Sequence, residues 1–189
     1  MRDDLRRGIL FKSAGLACLL LAWWAFRHRP SSGPVADRDS RGRAVLFTGK
    51  EPLRKVSLTF VSESKGSAEF EDRDIYRTAT LVPQAKQVVV DLMEGPRKPG
   101  LARLFPPGSD LRELFVGKDG LCVVDLAPET AAALPGGTTA EYLALYSVVR
   151  SLTANFPEIT AVQFLVGGQR QPTLSGHFDI SGPLTKADF

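Results

Sequence analysis

The side chains most suited to chemistry in this 189-residue chain stand at alternate positions near its end: Ser175, His177 and Asp179. A serine, a histidine and a carboxylate are the parts of nucleophilic hydrolysis, in which the imidazole takes the hydroxyl proton and the carboxylate orients the imidazole. That chemistry needs nucleophile and base in hydrogen-bond contact, and donors placed for an oxyanion. In an extended chain the three side chains share one face at spacings of about 7 Å, which meets neither need. Strand alternation explains the pattern, and no catalytic residue is assigned. The chain has no Walker sequence, glycine-rich dinucleotide turn or clustered carboxylates. Cys18 falls in an apolar N-terminal run and Cys122 in an apolar strand, without metal-ligand spacing or a disulfide framework. Cys122 reads as a small buried hydrophobe. No enzyme activity, cofactor or metal is expected.

Charge narrows the partners. The formal net charge is +3, but residues 1–12 carry four basic and two acidic side chains, and residues 27–43 carry five and two. Residues 44–189 therefore hold 15 basic against 17 acidic groups, a body near −2. A nucleic-acid footprint is absent. The order of elements overlaps with some RNA-binding modules, but Gly95–Gly100 lacks the form of their basic, glycine-flanked clamp between helices.

The basic flanks surround GILFKSAGLACLLLAWWAF, residues 8–26. Nineteen residues of helix reach about 28 Å, close to the hydrocarbon thickness of a bilayer. Lys12 lies near one end, where it can snorkel, and Trp23, Trp24 and Phe26 crowd the other as an interfacial belt would. Signal-peptide cleavage needs Ala-x-Ala, and Trp24 stands where the second alanine belongs. A lipoprotein signal at Cys18 is disfavoured because the apolar run continues past it. Residues 8–26 are thus expected to be an uncleaved transmembrane helix after a short tail, 1–7. Residues 27–54, rich in Pro, Gly, Ser and charge, read as a flexible tether, and the folded body is expected over 55–189.

The elements that must position any site follow from periodicity. VSLTFV (56–61) suits a strand, 63–74 a loop or long hairpin connection, and IYRTATLV (75–82) a second strand. PQAKQVVVDLMEG (83–95) reads as a helix, with Ala85, Val88, Val89, Leu92 and Met93 on one face. A strand over 87–92 competes, since consecutive valines are poor helix formers. GPRKPGLARLFPPG (95–108) is a stiff irregular loop carrying Arg97, Lys98 and Arg103; it reads as a solvated connection held by Leu101, Leu104 and Phe105 packing onto the core, with a functional surface loop as the alternative. DLRELFV (110–116), GKDG and LCVVDLA (121–127) form a hairpin, with Asp119-Gly120 expected to supply positive φ angles. Thr138 and Glu141 fit a capping box before the stripe Leu145, Val148, Val149, Leu152, which Tyr142 and Tyr146 widen. TAVQFLV (160–166) is a strand, and Gly167-Gly168 turns it into a short return near Pro172–Leu174. The fold class is α+β in two layers: a mixed β-sheet with two helices on one face, in the order helix-strand-strand-helix-strand, preceded by one or two strands.

KVSLTFV, then LMEGPRKPGLARLFPPG, KDGLCVVDLA, PGGTTAEYLALYSVVRSLTANFPEITAVQFLVGG and GPLTKADF follow in order over about residues 55–189. This run resembles the GerMN domain of sporulation and spore-germination proteins, which also occurs in other membrane-anchored bacterial proteins. The resemblance implies an extracytoplasmic module similar to ring-building motifs, acting through protein–protein contacts. The expectation is a single-pass cell-membrane protein with its C-terminal body extracytoplasmic. It would serve as an interaction or assembly module of the cell envelope, meeting other envelope proteins or further copies of itself in the membrane plane. The contact surface is placed on Arg97, Lys98, Arg103 and Phe105, facing acidic groups such as Asp72 or Glu71 on a neighbour. A ligand-binding or sensory domain is the second reading, for which Tyr142 and Tyr146 would line a pocket.

Overall fold

The computed structural model describes residues 52–189 in full and the backbone of 37–38 and 44–45. The segment 8–26 lies outside the described residues, as does most of 27–51. Among the described residues no helix is long and apolar enough to cross a membrane. Within the stretch read as a tether, Asp37–Arg38 pairs antiparallel with Ala44–Val45.

The residues from Pro52 onward lie in one compact unit and form an α+β fold of two sheets and three helices. The first sheet is an antiparallel hairpin of β1 (Leu53–Val61) and β2 (Ala68–Tyr76). Helix α1 (Leu81–Glu94) follows, then β3 (Leu111–Val116), β4 (Leu121–Leu126), the short α2 (Pro128–Ala133), α3 (Thr138–Asn155) and β5 (Ala161–Val166). The second sheet has the order β3-β4-β5; β3 runs antiparallel to β4, and β5, reached through α2 and α3, runs parallel to it. The strands thus divide between two sheets where one mixed sheet was expected. A third helix, α2, went unrecognised in a six-residue alanine-rich run.

The largest departure from the sequence reading is β2. Residues 68–76 form a nine-residue strand where a connection was expected over 63–74; of the strand expected over 75–82 only Ile75 and Tyr76 are strand, and 81–82 already belong to α1. The inward side of β2 carries Glu71, Arg73 and Ile75. Two of these three are charged, so the strand lacks the apolar alternation that announces one. Helix α1 survives its valine run because Val88 and Val89 are wholly buried, and tertiary burial of about 1.5–3 kcal/mol per side chain overrides a propensity loss of a few tenths. Pro83 falls in the first turn, where its missing N–H has no partner to lose. The core joins Leu58 and Phe60 of β1 to Val89 and Leu92 of α1, Val148 and Leu152 of α3, and Val124 and Phe164 of the second sheet.

The β3–β4 connection also differs in detail. Only Gly120 takes a positive φ, of 84°; Asp119 does not, and its carboxylate instead accepts the Leu121 N–H at 3.2 Å. Gly120 is required twice over, because a Cβ there would lie 2.8 Å from the Glu158 carbonyl.

Helix α3 does more than bury a stripe. Its Asn155 side chain donates to the Ser57 carbonyl at 2.7 Å and accepts the Ser57 N–H at 2.9 Å, while Ser151 Oγ accepts the Thr59 N–H at 2.8 Å. These side chains stand in for a neighbouring strand and close the free edge of β1.

Candidate functional site

The loop 95–108 is a surface built on a buried anion. Gly95 ends α1 with φ of 89°, and its absent Cβ leaves room for the Arg103 guanidinium. The chain then passes Glu71 of β2, whose carboxylate is only 2% exposed. One carboxylate oxygen accepts the Arg97 and Lys98 backbone N–H groups at 2.9 and 2.7 Å. The other accepts the Arg73 Nε–H at 2.7 Å. Arg73 in turn donates to the carbonyls of Asp91, at 2.9 Å, and Gly95, at 2.5 Å. Burial opposes the charge on Glu71, but the Lys98 amide, Arg73 and the Arg97 amide together outweigh it and hold the carboxyl below its ordinary range. Asp91 sits beside the same guanidinium at 3.8 Å; burial dominates there and pushes its pKa up to about 6 despite Arg73.

Beyond the anion, the loop zips onto the turn end of the hairpin. Ser62 and Leu101 form an antiparallel bridge, the Glu63 N–H donates to the Gly100 carbonyl at 2.9 Å, and the Ala102 N–H donates to that of Val61 at 2.7 Å. Leu101, Leu104 and Phe105 enter the core. An open cleft of about 420 Å³ lies between α1 and the end of the loop, lined by Val90, Met93, Arg103 and Leu111 among others.

The four residues expected on a contact surface therefore separate. Arg97, Lys98 and Arg103 are exposed. Arg97 has a loose pair with Glu94 at 3.7 Å, Lys98 Nζ donates to the Phe70 carbonyl at 3.0 Å, and Arg103 donates to that of Met93 at 3.3 Å. Phe105 is 2% exposed and belongs to the core, so it is no contact residue. Glu71 is likewise consumed within the chain and is not available to a neighbour, whereas Asp72 points out to solvent. The glutamate at 71 and the arginine at 73 were missed because nothing in EFEDRDI distinguishes the inward charges from the outward ones.

A second buried carboxylate orders the C-terminal segment. Glu141, with 0% exposure, makes no capping box: α3 begins after Gly137, and Thr138 is already helical. Its carboxylate instead accepts the Leu174 and Ser175 N–H groups on one oxygen at 2.7 and 3.1 Å. The other oxygen accepts the Ser175 hydroxyl and the His177 N–H, both at 2.9 Å. His177 Nδ1 lies 3.4 Å from that oxygen. Burial opposes the charge and the Ser175, Leu174 and His177 donors prevail, so Glu141 is held below the ordinary range. The segment around Ser175, His177 and Asp179 is irregular chain wrapped on Glu141, not the strand that alternation suggested. The Ser175 hydroxyl donates its hydrogen bond to the Glu141 carboxylate rather than to His177, and Asp179 accepts the Ser181 N–H at 2.9 Å. The arrangement anchors a loop.

Tyr142 and Tyr146, which a ligand pocket would need, are stacked on each other and covered from the C-terminal segment. The Phe178 and Phe189 rings approach Tyr142 to 5.8 and 5.2 Å. The Cys122 thiol is buried, which pushes its pKa up to about 12 and makes it inert.

No curated protein sequence matches the chain. Among solved structures, a protein from Clostridium perfringens classed as a lipoprotein superposes with a TM-score of 0.52 at 25% identity, over 72% of this chain and 89% of its own. The first GerMN domain of the sporulation protein GerM from Bacillus subtilis gives 0.59 at 18% identity, over 71% and 98%. The tandem GerMN domains of the same protein give 0.60 at 19%, over 72% and 48%. These likenesses carry the fold. The family model named Germane, for sporulation and spore germination, matches residues 57–172, more than half of the chain, and the protein belongs to that family.

Proposed function

We propose that this protein is a membrane-anchored docking module of the bacterial cell envelope, non-catalytic, with its C-terminal body outside the cytoplasm. Residues 8–26 anchor it, and the exposed cations of loop 95–108 meet acidic groups of another envelope protein or of a second copy. The observation that supports this most is the Glu71 clamp. It fixes the loop backbone before any partner arrives, which lowers the ordering entropy of association, and it leaves Arg97, Lys98 and Arg103 at the surface. Membrane attachment draws support from the likeness to the Clostridium perfringens protein classed as a lipoprotein. Confinement to a plane raises the effective concentration, so contacts too weak to survive in solution suffice.

Crosslinking of the full chain in its native membranes tests the proposal. Higher species or a defined partner adduct are expected, and the triple change Arg97→Glu, Lys98→Glu, Arg103→Glu should reduce them with the thermal unfolding midpoint preserved. Unchanged adducts in that variant would remove the loop, and absence of adducts in every background would remove the docking module.

A further inference from the structure

The two edges of the β1–β2 hairpin are treated differently. Ser57 bonds the Asn155 side chain through both its N–H and its carbonyl, so both point away from β2. Ser57 faces Asp72 across the ladder, and in an antiparallel pair of this kind the groups of both residues point outward. The outward set on β2 is therefore Phe70, Asp72, Asp74 and Tyr76. The far end agrees: the Tyr76 N–H donates to Gln87 Oε1 at 2.7 Å, and Gln87 Nε2 donates to the Tyr76 carbonyl at 3.0 Å. At the near end the Phe70 carbonyl accepts from Lys98 Nζ. Between these brackets, no hydrogen bond reaches the outward N–H and carbonyl of Asp72 and Asp74 among the described residues. Both residues are exposed, and Phe70 beside them is 53% exposed, one of three large apolar side chains left so open among the described residues.

We propose that this β2 edge is a docking site for an extended basic peptide of a partner protein, added as an antiparallel third strand to the hairpin. The inference rests on the docking function above and adds to it a second surface, distinct from the cations of loop 95–108. Backbone pairing with Asp72 and Asp74 gives the affinity, and the side chains on their face give the choice. In antiparallel register the partner presents a cation opposite Asp74, a second cation two residues later opposite Asp72, and an apolar residue two further on against Phe70. Lys55, 3.5 Å from Asp74, offsets only one of the two acids. A second copy of the same edge is a poor occupant, because a two-fold pairing centred on Asp72 sets aspartate against aspartate.

The test uses the full chain in detergent micelles and a fluorescent, acetylated Lys-Thr-Lys-Thr-Val-Thr peptide read by anisotropy. Saturable binding is expected. Methylating the two lysine amides, which face the edge, should weaken it by about thirtyfold for two lost hydrogen bonds. Methylating the first and second threonine amides, which face away, should change it little. Asp72→Lys with Asp74→Lys should abolish binding, while the loop variant with Arg97, Lys98 and Arg103 reversed should retain it. No binding, or binding equally sensitive to both methylation patterns, overturns the proposal, as does a concentration-dependent dimer that the Asp72→Lys change dissolves. Loss of membrane adducts in the loop variant alongside a failed peptide titration would spare the docking function and remove only this edge. A successful titration with no adducts would do the reverse.

Discussion

Removing the Glu141 carboxylate should free the C-terminal segment from α3 while leaving the rest of the domain folded. In Glu141→Ala, three backbone N–H groups, at Leu174, Ser175 and His177, and the Ser175 hydroxyl lose their acceptor. Hydrogen bonds to a charged group contribute about 1.5–3 kcal/mol each, but they act as one unit, and the segment can escape the full loss by undocking. The cost is then capped by the free energy that docks residues 172–178, and about 3–4 kcal/mol is expected. Acid should do the same to the wild type. Glu141 has a folded pKa below its unfolded value, so its contribution is fully present above the unfolded value, near 4.3, and is lost as pH falls through the folded one. Urea unfolding at pH 7 and pH 3, with amide hydrogen exchange, measures both. The variant should be less stable at pH 7 by the amount stated, the difference should shrink at pH 3, and fast exchange should appear first at residues 174–177. A loss under about 1 kcal/mol with protection intact would refute the view that this carboxylate holds the segment.

Asp91 titrates in the opposite sense: burial raises its pKa to about 6, so stability is greatest while it is protonated and falls as pH rises from about 4 to 6. Asp91→Asn should therefore stabilise the domain at pH 7.5 by about 1–3 kcal/mol, read from urea midpoints, with little gain at pH 4. Asn155→Ala removes the side chain that closes the β1 edge at Ser57 and should cost about 1–3 kcal/mol. Faster aggregation at elevated temperature should accompany it, followed by static light scattering.

Much of the fold was legible because much of it follows apolar periodicity. Val88, Val89 and Leu92 in α1, Val148 and Leu152 in α3, and the alternation of Cys122, Val124 and Leu126 in β4 all announce their buried faces. What escaped is what charge builds. Glu71 and Arg73 turn inward from a strand that also carries Glu69, Asp72 and Asp74, so pattern alone could not tell β2 from a solvated loop. Glu141 has the spacing from Thr138 that a capping box requires, but Gly137 at φ of 126° sets the helix start one residue earlier and leaves the carboxylate facing inward. Phe105, among prolines and cations, fits both a core anchor for the loop and a contact for a partner, and burial decides for the loop anchor. In each case the residue was noticed, or its neighbours were, and its partner lay too far along the chain to be inferred.

Glu71 and Glu141 apply one device at two places. Each is a wholly enclosed carboxylate on a regular element that gathers successive backbone amides from an irregular one: Arg97 and Lys98 in the first case, Leu174, Ser175 and His177 in the second. Charge-assisted bonds of this kind are directional, and an anion enclosed without them is costly, so the loop conformations that satisfy it are few. A hydrophobic anchor such as Phe105 adds burial but fixes less geometry. The domain thus ties its loop 95–108 and its C-terminal segment to buried carboxylates, closes β1 with Asn155, and leaves β2 open between Gln87 and Lys98. Under the docking proposal this division matters: the candidate surfaces are set in advance, and the unpaired stretch of the β2 edge lies between exposed acids that discourage a like copy and favour a basic strand.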